Sequence, residues 1–203
     1  YFNLLGTKLI LLLSSLICEN IKIAKPEYQI HYLVNHNTLP VLENNPYIDK
    51  IIVFEKKQDE SFIELIKFSK QLNNEKYDIV IDAYSKLQSW TMVLFNNAKQ
   101  KISYKKTGRS FLYTNNIIKQ NQPKSDLGLA IEHRLLLLQP LDIKINKTFP
   151  TLYVTESEKK MASDLFSQHN INNNKKTVMI SLLGSDTSKT YPLNYMTEPV
   201  DFI

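Results

Sequence analysis

Twelve residues in the middle of the chain, Glu75-Lys-Tyr-Asp-Ile-Val-Ile-Asp-Ala-Tyr-Ser-Lys86, constrain the fold more than any others. Ile79, Val80 and Ile81 form a β-branched run, bracketed by Asp78 and Asp82. A short apolar run between polar ends predicts a strand buried on both faces. After it, residues 85–97 switch to a helical pattern. Strand, tight turn and helix therefore follow one another. In an open parallel sheet, ligands bind beyond the carboxyl ends of the strands. Asp82, Tyr84, Ser85 and Lys86 are then predicted to stand on the rim of a cleft. The plainer role for Asp82 or Ser85 is to cap the helix that follows.

The chain has 203 residues, enough for one domain or one and part of a second. Hydrophobic residues at 43% and charged residues at 22% describe a globular protein rather than a disordered one. A net charge of +5 suits an anionic ligand or a membrane surface and names neither. No Lys/Arg cluster interleaved with aromatics marks a nucleic-acid face. The single cysteine, Cys18, excludes a disulfide framework and a cysteine zinc site, and it suits a reducing cytoplasm. His31, His36, His133 and His169 have no metal-ligand spacing.

The apolar stretch 9–18 could serve as the core of a signal peptide, with Leu16-Ile-Cys18 as a lipoprotein-like cleavage site. It is too short to span a bilayer. Ile10, Leu13, Ile17, Ile21 and Ala24 recur at three- and four-residue steps, running through Cys18 without a break. That pattern predicts a buried helix from about Lys8 to Lys25-Pro26, preceded by a strand tail or loop over residues 1–6.

Further along, strands are predicted over 29–34, 48–54, 101–104, 152–154 and 177–183. A short helix is predicted at 39–43 and a turn at Asn45-Pro46. Phe62, Leu65, Ile66, Ser69 and Leu72 mark one helix face. Trp90, Met92, Val93 and Phe95 are expected in the core. Lys105-Lys-Thr-Gly-Arg109 is a basic turn, either solvated or facing a phosphate. Residues 111–118 read as extended and 126–138 as a helix carrying His133. Residues 146–150 read as a linker, and Thr155-Glu-Ser-Glu158 as a capping box opening a helix to about His169. Alternating strands and helices give an α/β class. The strands at 29–34, 50–54, 78–82 and 101–104 are expected in one largely parallel sheet with helices on both faces.

Met179-Ile-Ser-Leu-Leu-Gly-Ser-Asp-Thr-Ser-Lys-Thr-Tyr-Pro192 leads from a strand through a loop of small hydroxylated residues towards a helix. Backbone amides and hydroxyls of such a loop can cradle a phosphate, and Lys189 can add charge. The spacing is not that of a P-loop. An ordinary strand-to-helix turn is the commoner explanation of such a stretch.

Taken together, Tyr28-Gln-Ile-His-Tyr-Leu-Val34, Glu43-Asn-Asn-Pro-Tyr-Ile-Asp-Lys-Ile-Ile-Val-Phe54, Lys76-Tyr-Asp-Ile-Val-Ile-Asp82, Lys101-Ile-Ser-Tyr104, Ile131-Glu-His-Arg-Leu-Leu-Leu-Leu-Gln-Pro-Leu-Asp142 and Ser181-Leu-Leu-Gly-Ser with Lys189-Thr-Tyr-Pro192 resemble glycosyltransferase family 9, the heptosyltransferases of lipopolysaccharide assembly. The resemblance implies a GT-B arrangement of two Rossmann-like domains. Residues 1–145 would form the N-terminal acceptor domain. Residues 146–203 would form a linker and the beginning of an incomplete nucleotide-sugar-binding domain. The implied donor is an ADP-heptose-like nucleotide sugar and the implied acceptor a lipid A–core oligosaccharide. Transfer would invert the anomeric carbon, with neither metal nor cofactor. Gly184, Ser185, Thr187, Ser188 and Lys189 match the loop that contacts the donor phosphates. The implied setting is cytoplasmic, with peripheral contact at the inner face of the membrane left open.

Two departures from the family pattern bear on activity. The family follows its first strand with a Gly-Asp pair whose Asp is the implied base, whereas here Gly6 precedes Thr7 and the first aspartate is Asp49. Asp82 is then the candidate substitute, with Glu132 behind it. Only about fifty residues follow the linker, fewer than an α/β domain needs. The expectation is a chain that does not transfer sugar by itself. The rival expectation is a non-catalytic Rossmann-like remnant or interaction module.

Overall fold

The computed structural model describes residues 4–171, with side chains from residue 10 onward. It alternates strands and helices as the pattern demands. Helix α1 (Leu4–Ala24) leads to β1 (His31–Asn35) and β2 (Lys50–Phe54). Helices α2 (Lys56–Glu60) and α3 (Phe62–Asn73) follow, then β3 (Ile79–Asp82) and α4 (Leu87–Leu94). The run closes with β4 (Gln100–Tyr104), β5 (Asn115–Ile117) and α5 (Leu129–Leu136). All of this from Ile10 to Tyr153 is one compact unit. A second unit includes α6 (Glu156–Gln168), whose Thr155/Glu158 capping box is formed as expected.

Every described strand pairing is parallel: β1 with β2, β3 with β4, and β4 with β5. The class is therefore α/β with parallel strands. The expected single sheet does not form among the described residues. β1–β2 is one hydrogen-bonded sheet and β3–β4–β5 another. Alternation fixes a strand's direction and its buried side. It does not fix which strands are neighbours.

The two sheets share a core and a polar clamp instead. Ile17, Cys18 and Ile21 of α1 pack with Ile30, Ile102, Tyr104, Leu137 and Leu138, and around them lie Tyr32 of β1 and Ile79 and Ile81 of β3. His31 Nδ1 is 3.0 Å from the Tyr77 hydroxyl, and Lys50 reaches Glu75 at 2.7 Å. On the opposite side of β1, Leu33 packs with Phe54, Leu65, Phe68, Leu72 and Met92, under α3 and α4. Tyr32 and Leu33 thus face opposite helical layers, as alternation along a strand requires. Full burial of Leu16, Leu42, Ile102, Leu137 and Leu138 contributes roughly 1.5–3 kcal/mol apiece.

α1 is buried on all sides over residues 14–20, which is why its apolar content imitates an export signal. Cys18 lies inside, its thiol pushed up to about 12 by burial and the Glu19 charge. Among the described residues, no helix is long and apolar enough to cross a membrane. The buried serines are satisfied within the helix: Ser14 donates to the Ile10 carbonyl and Ser15 to that of Leu12. Asn20 Oδ1 accepts the amides of Asn146 and Lys147, while Nδ2 donates to the carbonyls of Leu16 and Lys147. The segment read as a linker is thereby tethered to α1.

Several boundaries move. Helix is already present from Leu4, where a strand tail or loop was expected. The short helix expected at 39–43 is a 3₁₀ helix that starts earlier, at His36–Val41, because Asn35 caps it by accepting the Asn37 amide. A separate helix, α2, precedes α3, and Phe68 rather than the exposed Phe62 packs inward. The extended segment opens with a 3₁₀ turn at Ser110–Leu112. α5 starts at Leu129 rather than 126, because Glu132 reaches back and accepts the amides of Lys124 and Ser125. Residues 152–154 form no strand. The strand expected at 177–183 lies outside the described residues.

Candidate functional site

The rim beyond the carboxyl ends of β3, β4 and β5 is built around Asp82. The strand delivers this aspartate at its last position, where its backbone carbonyl accepts the Ser103 hydroxyl of β4 at 2.8 Å. Oδ1 accepts the amides of Tyr84 (3.0 Å) and Ser85 (2.7 Å). Oδ2 accepts the Tyr113 hydroxyl at 2.6 Å. Asp82 therefore holds the turn, including Ser85 in a left-handed backbone conformation at φ 51°. Such a conformation is uncommon outside glycine and needs support of this kind. The N-cap of α4 is Lys86, so Asp82 braces the turn rather than capping the helix.

Burial and the Asp82 charge push the Tyr113 phenol upward, so it remains a hydrogen-bond donor. Lys106 Nζ donates to the Ser85 carbonyl at 2.7 Å, and Trp90 Nε1 to the Ser85 hydroxyl at 3.4 Å. The Arg109 guanidinium lies 3.3 Å from the centre of the Trp90 ring. Trp90, expected in the core, is half-buried and serves as a platform for these cations. Met92 and Val93 are buried as expected.

Next along the rim, Lys119 Nζ sits 4.2 Å over the Tyr104 ring, whose hydroxyl donates to the His133 carbonyl. Partial burial and the nearby charges of Arg134 and Lys106 hold the Lys119 ammonium below its ordinary value. Arg134 donates to the Ala130 carbonyl, yet its buried Nε has no partner among the described residues. Three cations crowd one edge, and no ion pair among the described residues engages Lys106, Lys119 or Arg134. His133 Nε2 lies 3.0 Å from the Gln120 carbonyl and is satisfied there. Glu132 is held low by Ser125 and the Lys124 amide, as a loop clamp.

The structure thus brings Asp82, Ser85 and Lys106 together and adds Tyr113, Lys119 and Arg134, which sequence reasoning missed. Gly6 and Thr7 fall within α1. Gly184, Ser185, Thr187, Ser188 and Lys189 lie outside the described residues.

Residues 65–198 match the family model described as glycosyltransferase family 9 (heptosyltransferase). Among solved structures, the chain is similar to a glycosyl transferase family 9 protein from Veillonella parvula DSM 2008. The TM-score is 0.75 at 18% identity, over 95% of this chain and 55% of that one. It is also similar to the E. coli ADP-heptose lps heptosyltransferase II, with a TM-score of 0.58 at 18% identity over 77% of this chain and 46% of that one. The chain spans about half the length of these structures. No curated protein sequence matches it.

Proposed function

This chain belongs to glycosyltransferase family 9, and from that premise we propose that it forms the acceptor side of a heptosyltransferase-type enzyme. Residues 1–145 take a lipid A–core oligosaccharide. Residues 146–203 are the linker and beginning of the nucleotide-sugar domain of a GT-B pair. The observation that carries this is the family match across 65–198, joined to a parallel α/β fold whose strand ends converge on one basic rim.

The reaction is an inverting displacement. An acceptor hydroxyl attacks the anomeric carbon of an ADP-heptose-like donor, the bond to the diphosphate breaks, ADP leaves with the negative charge, and the hydroxyl's proton passes to solvent water. Gly184, Ser185, Thr187, Ser188 and Lys189 hold the diphosphate, and Lys189 stabilises its growing charge. Lys106, Lys119 and Arg134 attract the anionic groups of the acceptor. Asp82 positions the rim. No base is assigned: Thr7, at the gapped match to the family's Gly-Asp pair, is not basic near neutral pH. The acceptor's nature sets the work at the cytoplasmic face of the inner membrane.

Calorimetry with ADP tests the reading. Lys189→Ala should weaken binding by about 1–3 kcal/mol, the range of a charged hydrogen bond. Unchanged affinity in that variant would remove the site from the loop. A second reading, a non-catalytic remnant or interaction module, is favoured by the complete engagement of the Asp82 carboxylate. Release of ADP from ADP-heptose in the presence of lipid A–core acceptor separates the two. If no side chain acts as base, transfer should run slower by about 10²–10⁴ than in an enzyme that has one.

A further inference from the structure

Charge along this chain is distributed unevenly. Residues 83–125 carry eight Lys/Arg and not one Asp or Glu, whereas the remainder carries 17 basic and 20 acidic residues. The positive charge of the whole molecule therefore comes from this one segment. The segment supplies α4, β4, the 3₁₀ turn at Ser110–Leu112 and β5. It also exposes large apolar side chains. Leu87 is 61% exposed, Leu94 59% and Phe111 81%. Leu87, Trp90 and Leu94 stand at i, i+3 and i+7 of α4, which is one helix face. α4 packs against the turn that carries Phe111. Arg109, one residue before that turn, stacks on Trp90, so cation and apolar stripe belong to one surface. No ion pair among the described residues engages Lys105 or Arg109.

We propose that this corner, Leu87, Leu94 and Phe111 flanked by Lys105 and Arg109, docks the protein on an anionic lipid surface. Apolar side chains ringed by unpaired cations match the interface physically: the former enter the acyl boundary and the latter meet lipid phosphates. A partner of like composition would leave the cations facing each other. The corner borders the Lys106 rim, so a lipid-borne acceptor would arrive beside it. In that respect the inference deepens the acceptor reading and rests on it, while the docking itself needs neither acceptor nor donor.

The test is co-sedimentation of the full chain with vesicles of phosphatidylglycerol and phosphatidylethanolamine, against vesicles of phosphatidylcholine alone. The protein should sediment with the anionic vesicles and be released by high salt. Leu87→Ser with Phe111→Ser should lower partitioning roughly tenfold. Lys105→Gln should lower it about fivefold, the effect of one basic charge near such a surface. Both variants should keep the parental melting curve, since all three side chains are exposed. Equal or absent sedimentation on the two vesicle types overturns the proposal, as does parental partitioning by both variants. A dimer in ultracentrifugation that Phe111→Ser dissociates overturns it too, by assigning the corner to a second copy. ADP binding by calorimetry is read without vesicles, so its failure would strike the glycosyltransferase reading alone.

Discussion

The Tyr113 hydroxyl donates to Asp82 Oδ2 at 2.6 Å across 31 residues of sequence, and both residues are buried. The bond ties the approach to β5 to the end of β3, with β4 between them. A hydrogen bond to a charged partner contributes about 1.5–3 kcal/mol. Tyr113→Phe should lose that amount in urea unfolding. Asp82→Ala should lose more, because the Tyr84 and Ser85 amides are then left without their acceptor. Equal, small effects from both substitutions would show that the turn stands without this brace.

Asn20 anchors the segment that leaves the unit. Its side chain makes four hydrogen bonds, three of them to residues 146 and 147. Asn20→Ala should cost about 1–3 kcal/mol: the α1 side of the network is buried, while the exposed amides of Asn146 and Lys147 regain water. The sharper readout is limited trypsin digestion. Cleavage at Lys144 and Lys147 should accelerate in the variant well before global unfolding.

Glu19 neighbours that anchor and predicts a pH dependence. Its side chain is buried, Oε2 accepts the Tyr153 hydroxyl at 3.2 Å, and Oε1 has no partner among the described residues. Burial raises its carboxyl above the ordinary 4.5, against smaller opposing effects of Tyr153, Thr151 and Lys147. The folded state then binds more protons than the unfolded state just above pH 4.5. Stability from this group is present below that pH and is lost as pH rises through the raised value. Glu19→Gln should flatten this part of the stability–pH curve and be most favourable, relative to the parent, above the window. A parental slope in the variant would assign the dependence elsewhere.

The elements that were legible in the sequence are those whose signal is local. The β-branched run at 79–81 and Thr155-Glu-Ser-Glu158 each carry their instruction within a few residues, and β3 and α6 lie where they predict. α1 was legible as a helix but not as a face. Its periodicity nominates Ile10 as inward, yet Ile10 is half exposed and Ser15, Glu19 and Asn20 are fully buried, because over residues 14–20 every side meets protein. Long-range partners were not legible at all. Nothing near Asp82 announces Tyr113, and nothing near Asn20 announces Lys147. Strand adjacency failed for the same reason, since whether β3 joins the β1–β2 sheet depends on where α2 and α3 carry the chain between β2 and β3. The assignment of the loop at 184–189 to the donor rests on its resemblance to a family alone, and its residues lie outside those described.

The crowded cations of the rim make a prediction in which stability and binding move in opposite directions. Lys119 is held below its ordinary 10.5 by burial, Arg134 and Lys106. In the window just below 10.5, the unfolded state therefore binds more protons, and stability rises with pH through it. At neutral pH the full penalty is in force. Lys119→Met removes the charge and keeps an apolar stem over the Tyr104 ring, where sulfur packs well. Its melting temperature at neutral pH should therefore exceed that of the parent. An anion bound among Lys106, Lys119 and Arg134 relieves the same repulsion, so inorganic pyrophosphate at constant ionic strength should raise the parental melting temperature. Ligand stabilisation grows only with occupancy of the folded state. Lys119→Met combined with Arg134→Met should lose most of that shift. If Lys119→Met melts lower than the parent and keeps the full pyrophosphate shift, the three cations are not an anion site.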